Sequence, residues 1–260
     1  MVAAVLSLTA EQRAVVSASD GPLLVLAGPG TGKTAVLTAR IAHLVAERGL
    51  DPASVLTLTF SNRAAGELRT RLANLLGDDG RAVDVATFHA FALRVLRQWQ
   101  PALGYPPTPL RVCGEREVQT VLAETLGSLG VASASVLLRA LTRALERHRL
   151  SGGGGDDAEA LQTIGNAFEA RLRARGGVDY PGMLLLALRL LRERPRVVRR
   201  YRLAYRAILV DEAQDTCAVQ YALVRQLAEQ HGHLVLVGDP AQSLFAWRGA
   251  DGSVMRTFLS

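Results

Sequence analysis

The spacing of hydrophobic and polar positions divides this chain into segments of different character. Pro22 to Ala27 is a short, unbroken apolar run, as expected of a strand buried on both faces. A glycine-rich turn follows, then a helix from about Lys33 to Arg48. Ser54 to Phe60 is β-branched, ends in a polar turn and reads as a second strand. A helix from Arg63 to Leu76 is stopped by Gly77-Asp78-Asp79-Gly80. Arg81 to Ala86 is the third predicted strand and Phe88 to Gln98 the next helix. This alternation predicts an α/β fold, a parallel sheet with helices on its faces.

From about Pro101 to Arg200 the rhythm breaks. The stretch reads as helical or irregular, with prolines at Pro106-Pro107 and a flexible Gly152-Gly153-Gly154-Gly155 tract. Strands return at Arg206 to Asp211 and His233 to Gly238, separated by a helix from about Ala218 to Gln230. The expected organisation is a discontinuous α/β domain, residues 1–98 and 203–260, interrupted by an all-helical subdomain at residues 99–202. No internal repeat is visible.

Bulk properties narrow the function classes. A chain of 260 residues with 49% hydrophobic and 21% charged residues has the balance of a globular protein and excludes wholesale disorder. The net charge of +6 suits a polyanionic partner, although arginine-rich composition weakens that inference. Cys113 and Cys217 lack metal-ligand spacing and suit a reducing compartment. No signal-peptide pattern opens the chain and no apolar segment is long enough to span a membrane, so a cytoplasmic protein with no membrane partner is expected.

The chemistry is announced by one residue. Lys33 is the single lysine beside 29 arginines, and it sits in Gly28-Pro29-Gly30-Thr31-Gly32-Lys33-Thr34. That stretch fits the phosphate-binding loop, where a compact ammonium reaches between β- and γ-phosphates and a planar guanidinium is too bulky. Backbone amides at the following helix start favour bound phosphate, and the Thr34 hydroxyl is placed to ligate magnesium. The apolar strand Ala207 to Val210 delivers Asp211-Glu212, an acidic pair that is costly to bury unless a cation meets it. In phosphate-loop enzymes the first carboxylate binds magnesium and the second can activate water, which assigns Asp211 to the metal and Glu212 to the general base. A third strand, ending in Gly238-Asp239-Pro240-Ala241-Gln242, brings Gln242 to the same sheet edge, where it could sense the γ-phosphate. The substrate implied is ATP with Mg2+.

Several motifs in order carry a resemblance. Asp211-Glu212-Ala213-Gln214-Asp215-Thr216, Gln242 to Ala250 (with Phe245, Trp247 and Arg248), Leu58 to Ala65, Ala86 to Phe91 and Val178-Asp179-Tyr180 together resemble the UvrD/Rep/PcrA-like family of superfamily 1 DNA helicases, from about Leu8 to Ala250. The resemblance implies a RecA-like phosphate-loop ATPase domain with a helical insertion, the N-terminal half of a motor that in relatives typically moves 3′-to-5′ on single-stranded DNA. It implies that Gln12 reads the adenine edge; a capping box of Thr9 and Gln12 is the structural alternative, and the two are compatible. It implies base stacking on Phe60, Phe245 and Trp247, with Asn62, Arg63, Thr87 and His89 also contacting DNA, Thr87 and His89 along its backbone. Stacking tolerates any sequence, as a translocating motor needs. Arg248 would touch the nucleotide, couple it to the DNA groove, or form a surface salt bridge.

Two departures and an ending qualify this. Ala35 stands where relatives often have arginine, weakening the expected base pocket, and Phe245 stands where tyrosine is common. The chain ends at Ser260, before any second RecA-like domain with its arginine fingers, groups that contribute about 10³ to 10⁵ in turnover in comparable sites. The expected partners are therefore single-stranded DNA, single-strand/duplex junctions and that second domain, and the 260 residues alone are expected to hydrolyse ATP poorly. Other readings are a truncated nucleotide- or DNA-binding module that regulates a partner, and the motor part of a helicase–nuclease complex in repair or recombination, although no nuclease signature is present. The eight arginines between Arg189 and Arg206 fit a solvated helical face better than a duplex-binding one, and His43, His148, His231 and His233 show no ligand spacing.

Overall fold

A computed structural model describes residues 8–131, 135–151, 157–242 and 258. Five parallel strands form the main sheet: β1 (Leu23–Leu26), β2 (Val55–Thr59), β3 (Asp84–Thr87), β6 (Ala207–Val210) and β7 (Leu234–Gly238), in the order β1-β7-β6-β2-β3. The three central strands are buried at every position, as their unbroken apolar runs require.

Strand alternation sends successive side chains to opposite faces. Val55, Leu209, Val235 and Val237 face one way, onto α2 (Lys33–Ala46) and α3 (Asn62–Leu76), meeting Leu37, Ile41, Leu44, Leu68 and Leu72. Leu56, Leu58, Ile208, Val210, Leu234 and Leu236 face the other way. They share one core with α5 (Phe88–Trp99), α9 (Tyr180–Glu193), α10 (Pro195–Ala204) and α11 (Ala218–Ala228). Phe88 and Phe91 lie in this core, at 3% and 0% exposure, so they pack rather than present a surface.

The third strand starts later than the residue pattern predicts. Residues Asp78–Ala82 form a short helix, α4, and β3 begins only at Asp84. Gly77, with φ of +63°, redirects the chain, and Gly80 lies so close to α3 that a Cβ there would meet the Leu72 carbonyl oxygen at 2.1 Å. That close approach is a tertiary contact which the Gly-Asp-Asp-Gly signal does not reveal.

Among the described residues, the segment between α5 and α9 consists of helices, short loops and one two-residue ladder. Helices α6 (Glu115–Ser128), α7 (Ser135–Ser151) and α8 (Ala158–Ala174) enclose a separate core of Val121, Leu122, Leu126, Leu145, Phe168 and Leu172. The ladder pairs β4 (Arg111–Val112) with β5 (Gly177–Val178) in parallel. Two residues per strand carry no periodic signal, which is why the sequence pattern misses it. A buried ion pair, Arg149 to Asp179 at 2.6 Å, ties α7 to the start of α9. The glycine tract lies outside the described residues. Among the described residues no helix is long and apolar enough to cross a membrane, and Cys113 and Cys217 are buried and unbridged.

Candidate nucleotide and nucleic-acid site

Every strand of a parallel sheet presents its carboxyl end on one edge, and ligands collect there. The pairing register places β1, β7 and β6 side by side, with Leu26 opposite Gly238 and Val210 opposite Leu236. Beyond β1 the chain turns through Gly28-Pro29-Gly30-Thr31-Gly32 into α2. Gly30 and Gly32 adopt φ of +71° and +82°, a region that side chains rarely tolerate. The Thr31 hydroxyl donates to the Gly28 carbonyl at 2.7 Å and closes the turn. Lys33 opens α2 and folds its ammonium back over this loop, 3.3 Å from the Ala27 carbonyl and 3.4 Å from that of Gly28. The loop amides and the positive end of α2 face the same space, which suits an anion. Thr34 follows in the first turn of α2.

Asp211 continues β6, its backbone N–H donating to the Leu58 carbonyl at 2.9 Å. Its carboxyl is 6% exposed. Burial, and next the Glu212 carboxylate, push its pKa up to about 6, against the pull of Lys33 and the previously unsuspected Arg71 on α3. A desolvated carboxylate beside a second acid is a fitting place for a cation. Among the described residues no three His, Cys, Asp or Glu side chains gather as a metal site. Mg2+ typically takes one or two protein ligands and completes its shell with water and phosphate oxygens. Asp211 and Thr34 are the residues that would hold it, and the ion would supply charge neutralisation on the phosphates.

This environment makes a stability prediction. The folded pKa of Asp211 lies above the unfolded value, so the folded chain binds the extra proton between the two, and stability is lost as pH rises through that window. At about pH 7.5 the ionised carboxylate opposes folding by about 3 kcal/mol. Asp211→Asn is therefore expected to raise the melting temperature of the nucleotide-free chain by about 6 °C near neutral pH, and by little at about pH 4. Differential scanning calorimetry of both proteins at the two pH values checks this; equal melting points at neutral pH would contradict it.

Glu212 follows with φ of +52°, the only non-glycine residue with positive φ among those described. Such backbone is sparsely populated and persists where its surroundings hold it. One holder is Gln214, a residue the sequence pattern did not single out. Its amide N–H donates to Glu212 Oε2 at 2.7 Å, and its Oε1 accepts from the Asp239 backbone N–H at 2.9 Å. Gly238 makes room for it, since a Cβ there would lie 2.5 Å from Gln214 Oε1. The Gln242 amide donates to Asp239 Oδ2 at 2.5 Å, and this bond, with that from the Ala241 N–H, holds the Asp239 carboxyl below its usual range. Lys33 acts electrostatically on both Asp211 and Asp239, so the three strand tips lie within reach of one charge.

Gln12 approaches the loop from α1 (Ala10–Ser17). Its side chain serves two ends at once. Oε1 accepts from the Thr9 backbone N–H at 2.8 Å, completing a capping box with the Thr9 hydroxyl, while Nε2 donates to the Thr31 carbonyl at 2.8 Å. The capping alternative and a position over the phosphate loop therefore coexist.

A second feature lies between the sheet edge and the helical segment, a cleft of about 440 Å³. Phe60, Asn62, Thr87 and His89 line it, together with Tyr180 and Gln220. Thr87 caps α5, its hydroxyl accepting from the Ala90 N–H at 3.2 Å. Tyr180 is 58% exposed, and its ring lies 4.2 Å from that of His89, tilted by 33°. Asp179 fixes this placement, capping α9 through the Gly182 N–H while its other oxygen holds Arg149. Glu146 and Asp215 also line the cleft, placing negative charge on that wall. Arg63 does not line it; its guanidinium turns to Glu67 at 2.9 Å. Phe245, Trp247 and Arg248 lie outside the described residues.

Residues 8–260 match the UvrD/REP helicase N-terminal domain. Similar proteins include the ATP-dependent DNA helicase PcrA of Leuconostoc citreum, 35% identical over 251 residues that cover 93% of this chain and 33% of that protein. PcrA of Staphylococcus epidermidis is 31% identical over 260 residues, 96% of this chain and 36% of its own length. PcrA of Staphylococcus aureus is 32% identical over 250 residues, 93% of this chain and 34% of its own. The chain thus spans about a third of the length of these relatives. A match over residues 8–260, on a RecA-like parallel sheet that carries a phosphate loop, places this chain in the UvrD/REP helicase N-terminal domain family.

Proposed function

We propose that this chain is the ATP-binding and single-stranded-DNA-contacting part of an ATP-dependent DNA helicase or translocase. The observation that carries the reading is the meeting of Lys33, Asp211, Glu212 and the Asp239–Gln242 turn at one sheet edge, beside an aromatic-lined cleft. In this reading Lys33 and the amides of Gly28 to Lys33 hold the β- and γ-phosphates, and Gln12 reads the adenine edge. Asp211 and Thr34 hold Mg2+. Glu212, oriented by Gln214, accepts a proton from the attacking water, and Gln242 senses the γ-phosphate. Residues 1–98 and 203–260 act as the ATPase domain, with 99–202 as the inserted subdomain. A second RecA-like domain would complete the nucleotide site, and 3′-to-5′ movement, single-strand/duplex junctions, a role in repair or recombination and a cytoplasmic location belong to the same proposal.

In the cleft, Phe60 and Tyr180 offer ring faces to successive bases, with Asn62, Thr87 and His89 beside them. Tyr180 is the largest exposed surface of the set, so it carries the test. Fluorescence anisotropy with a labelled oligothymidine should show binding that weakens as salt rises, because phosphate contacts release counterions. Tyr180→Ala should weaken that binding by roughly tenfold, the loss of one stacked base, with an unchanged salt slope. Absence of oligothymidine binding even at low salt would overturn the DNA reading and leave a nucleotide-binding module.

A further inference from the structure

Arg40 lies two turns into α2, the helix that Lys33 opens, and is 1% exposed. A guanidinium this deeply buried ordinarily faces a carboxylate. This one hydrogen-bonds through its two terminal nitrogens to backbone carbonyls, while Asp20 acts on it electrostatically. Nη1 donates to the Val16 carbonyl at 2.8 Å and to that of Ala18, and Nη2 reaches the Ser19 carbonyl at 3.4 Å. These groups belong to the carboxyl end of α1 and the residues just past it, where a helix leaves its last carbonyls without partners. The remaining neighbour, His233 Nε2 at 3.4 Å, accepts, since arginine only donates. Burial, and next Arg40 itself, hold His233 below its usual pKa, which favours the neutral ring that such an acceptor requires.

Helix α1 has eight residues and is too short to keep its own place. Three contacts fix it: the small cluster of Leu8, Val16, Val36 and Ala39, the Gln12–Thr31 bond at its start, and the Arg40 grip at its end. Gln12 stands so close above the phosphate loop that a Cβ on Gly32 would lie 3.2 Å from its Nε2. A small rotation of α1 would carry Gln12 out of register with a bound base, while Lys33, whose ammonium rests on the Ala27 and Gly28 carbonyls, would stay in place.

We propose that Arg40 is a positioning residue for base selection: by gripping the carboxyl end of α1 it fixes Gln12 over the phosphate loop and so sets the preference of the site for adenine over guanine nucleotides. The inference rests on the nucleotide reading above, with Gln12 as the base-reading group. It is tested on the 260-residue chain by titrating fluorescent N-methylanthraniloyl ATP and GTP, and inorganic triphosphate, into the unsubstituted protein and into Gln12→Ala, Arg40→Lys, Arg40→Met and the double variant Gln12→Ala/Arg40→Lys. Gln12→Ala should erase the ATP preference. Arg40→Lys, which keeps the charge but loses the fork, should reduce that preference by about threefold or more, one hydrogen bond's worth, with triphosphate affinity unchanged. In the Gln12→Ala background the same substitution should change the preference no further.

Should Arg40→Met fail to fold, Arg40→Lys carries the comparison. An ATP preference retained by Arg40→Lys, or a loss of equal size with and without Gln12, would overturn the positioning role. Failure of the unsubstituted chain to bind any of the three ligands would instead overturn the nucleotide reading itself, an outcome distinct from a preference that ignores Arg40.

Discussion

Glu212→Gln, made in the complete motor proposed above, is expected to lower kcat for ATP hydrolysis by about 10² to 10⁴ while leaving ATP affinity within a few-fold. The expectation comes from what the substitution keeps. Glutamine has the volume of glutamate and can still meet the Gln214 amide after rotation of its own, so the left-handed backbone at this residue and the link to the Asp239 turn survive. What it cannot do is accept the proton that an attacking water must release. The phosphate-binding groups, Lys33 and the loop amides, are untouched, so binding and turnover should separate. A stopped-flow ATP-binding trace of normal amplitude with steady-state turnover near background is the expected pair of observations. Turnover within threefold of the unsubstituted motor would remove Glu212 as the base.

The second large effect concerns the single lysine. Lys33→Met and Lys33→Arg should both weaken ATP binding by roughly 10- to 150-fold, the range for losing a charge-assisted hydrogen bond. Methionine removes the charge and keeps the stem. Arginine keeps the charge, but its planar fork is too wide for the space where the ammonium now reaches the Ala27 and Gly28 carbonyls at 3.3 and 3.4 Å. The arginine variant is the sharper test, because a site that needed only positive charge would accept it. Equilibrium titration with the fluorescent ATP analogue measures both, and arginine binding equal to lysine would refute the argument from shape.

The sheet was legible because its central strands are buried on both faces and therefore written as continuous apolar runs. The phosphate loop and the acidic pair were legible because their residues are neighbours in sequence. Elements made by distant residues were not. Tyr180 faces His89 from far along the inserted segment, and the Asp179 cap and its Arg149 partner, themselves far apart in sequence, help place it there. Arg40 and Arg71 are two arginines among 29, and nothing in their neighbours along the chain marks one as buried against carbonyls and the other as facing Asp211. Gln214 lies within a recognised motif, yet its part depends on the space left by Gly238 on another strand. The start of β3 was misjudged for the same reason, since the turn at Gly77 leads into a helix held by contact with Leu72.

The strand order has a consequence for the nascent protein. β1 leaves the ribosome early, but among the described residues its one partner is β7, and Leu23 must wait for Val235, more than two hundred residues later. At common synthesis speeds that delay is about 10 to 40 s. The strands β2 and β3 can pair long before, so the scaffold is laid down from its far side and the phosphate cradle is the last part to close. Translation itself thus postpones completion of this sheet edge until the acidic strand and its neighbour have been made.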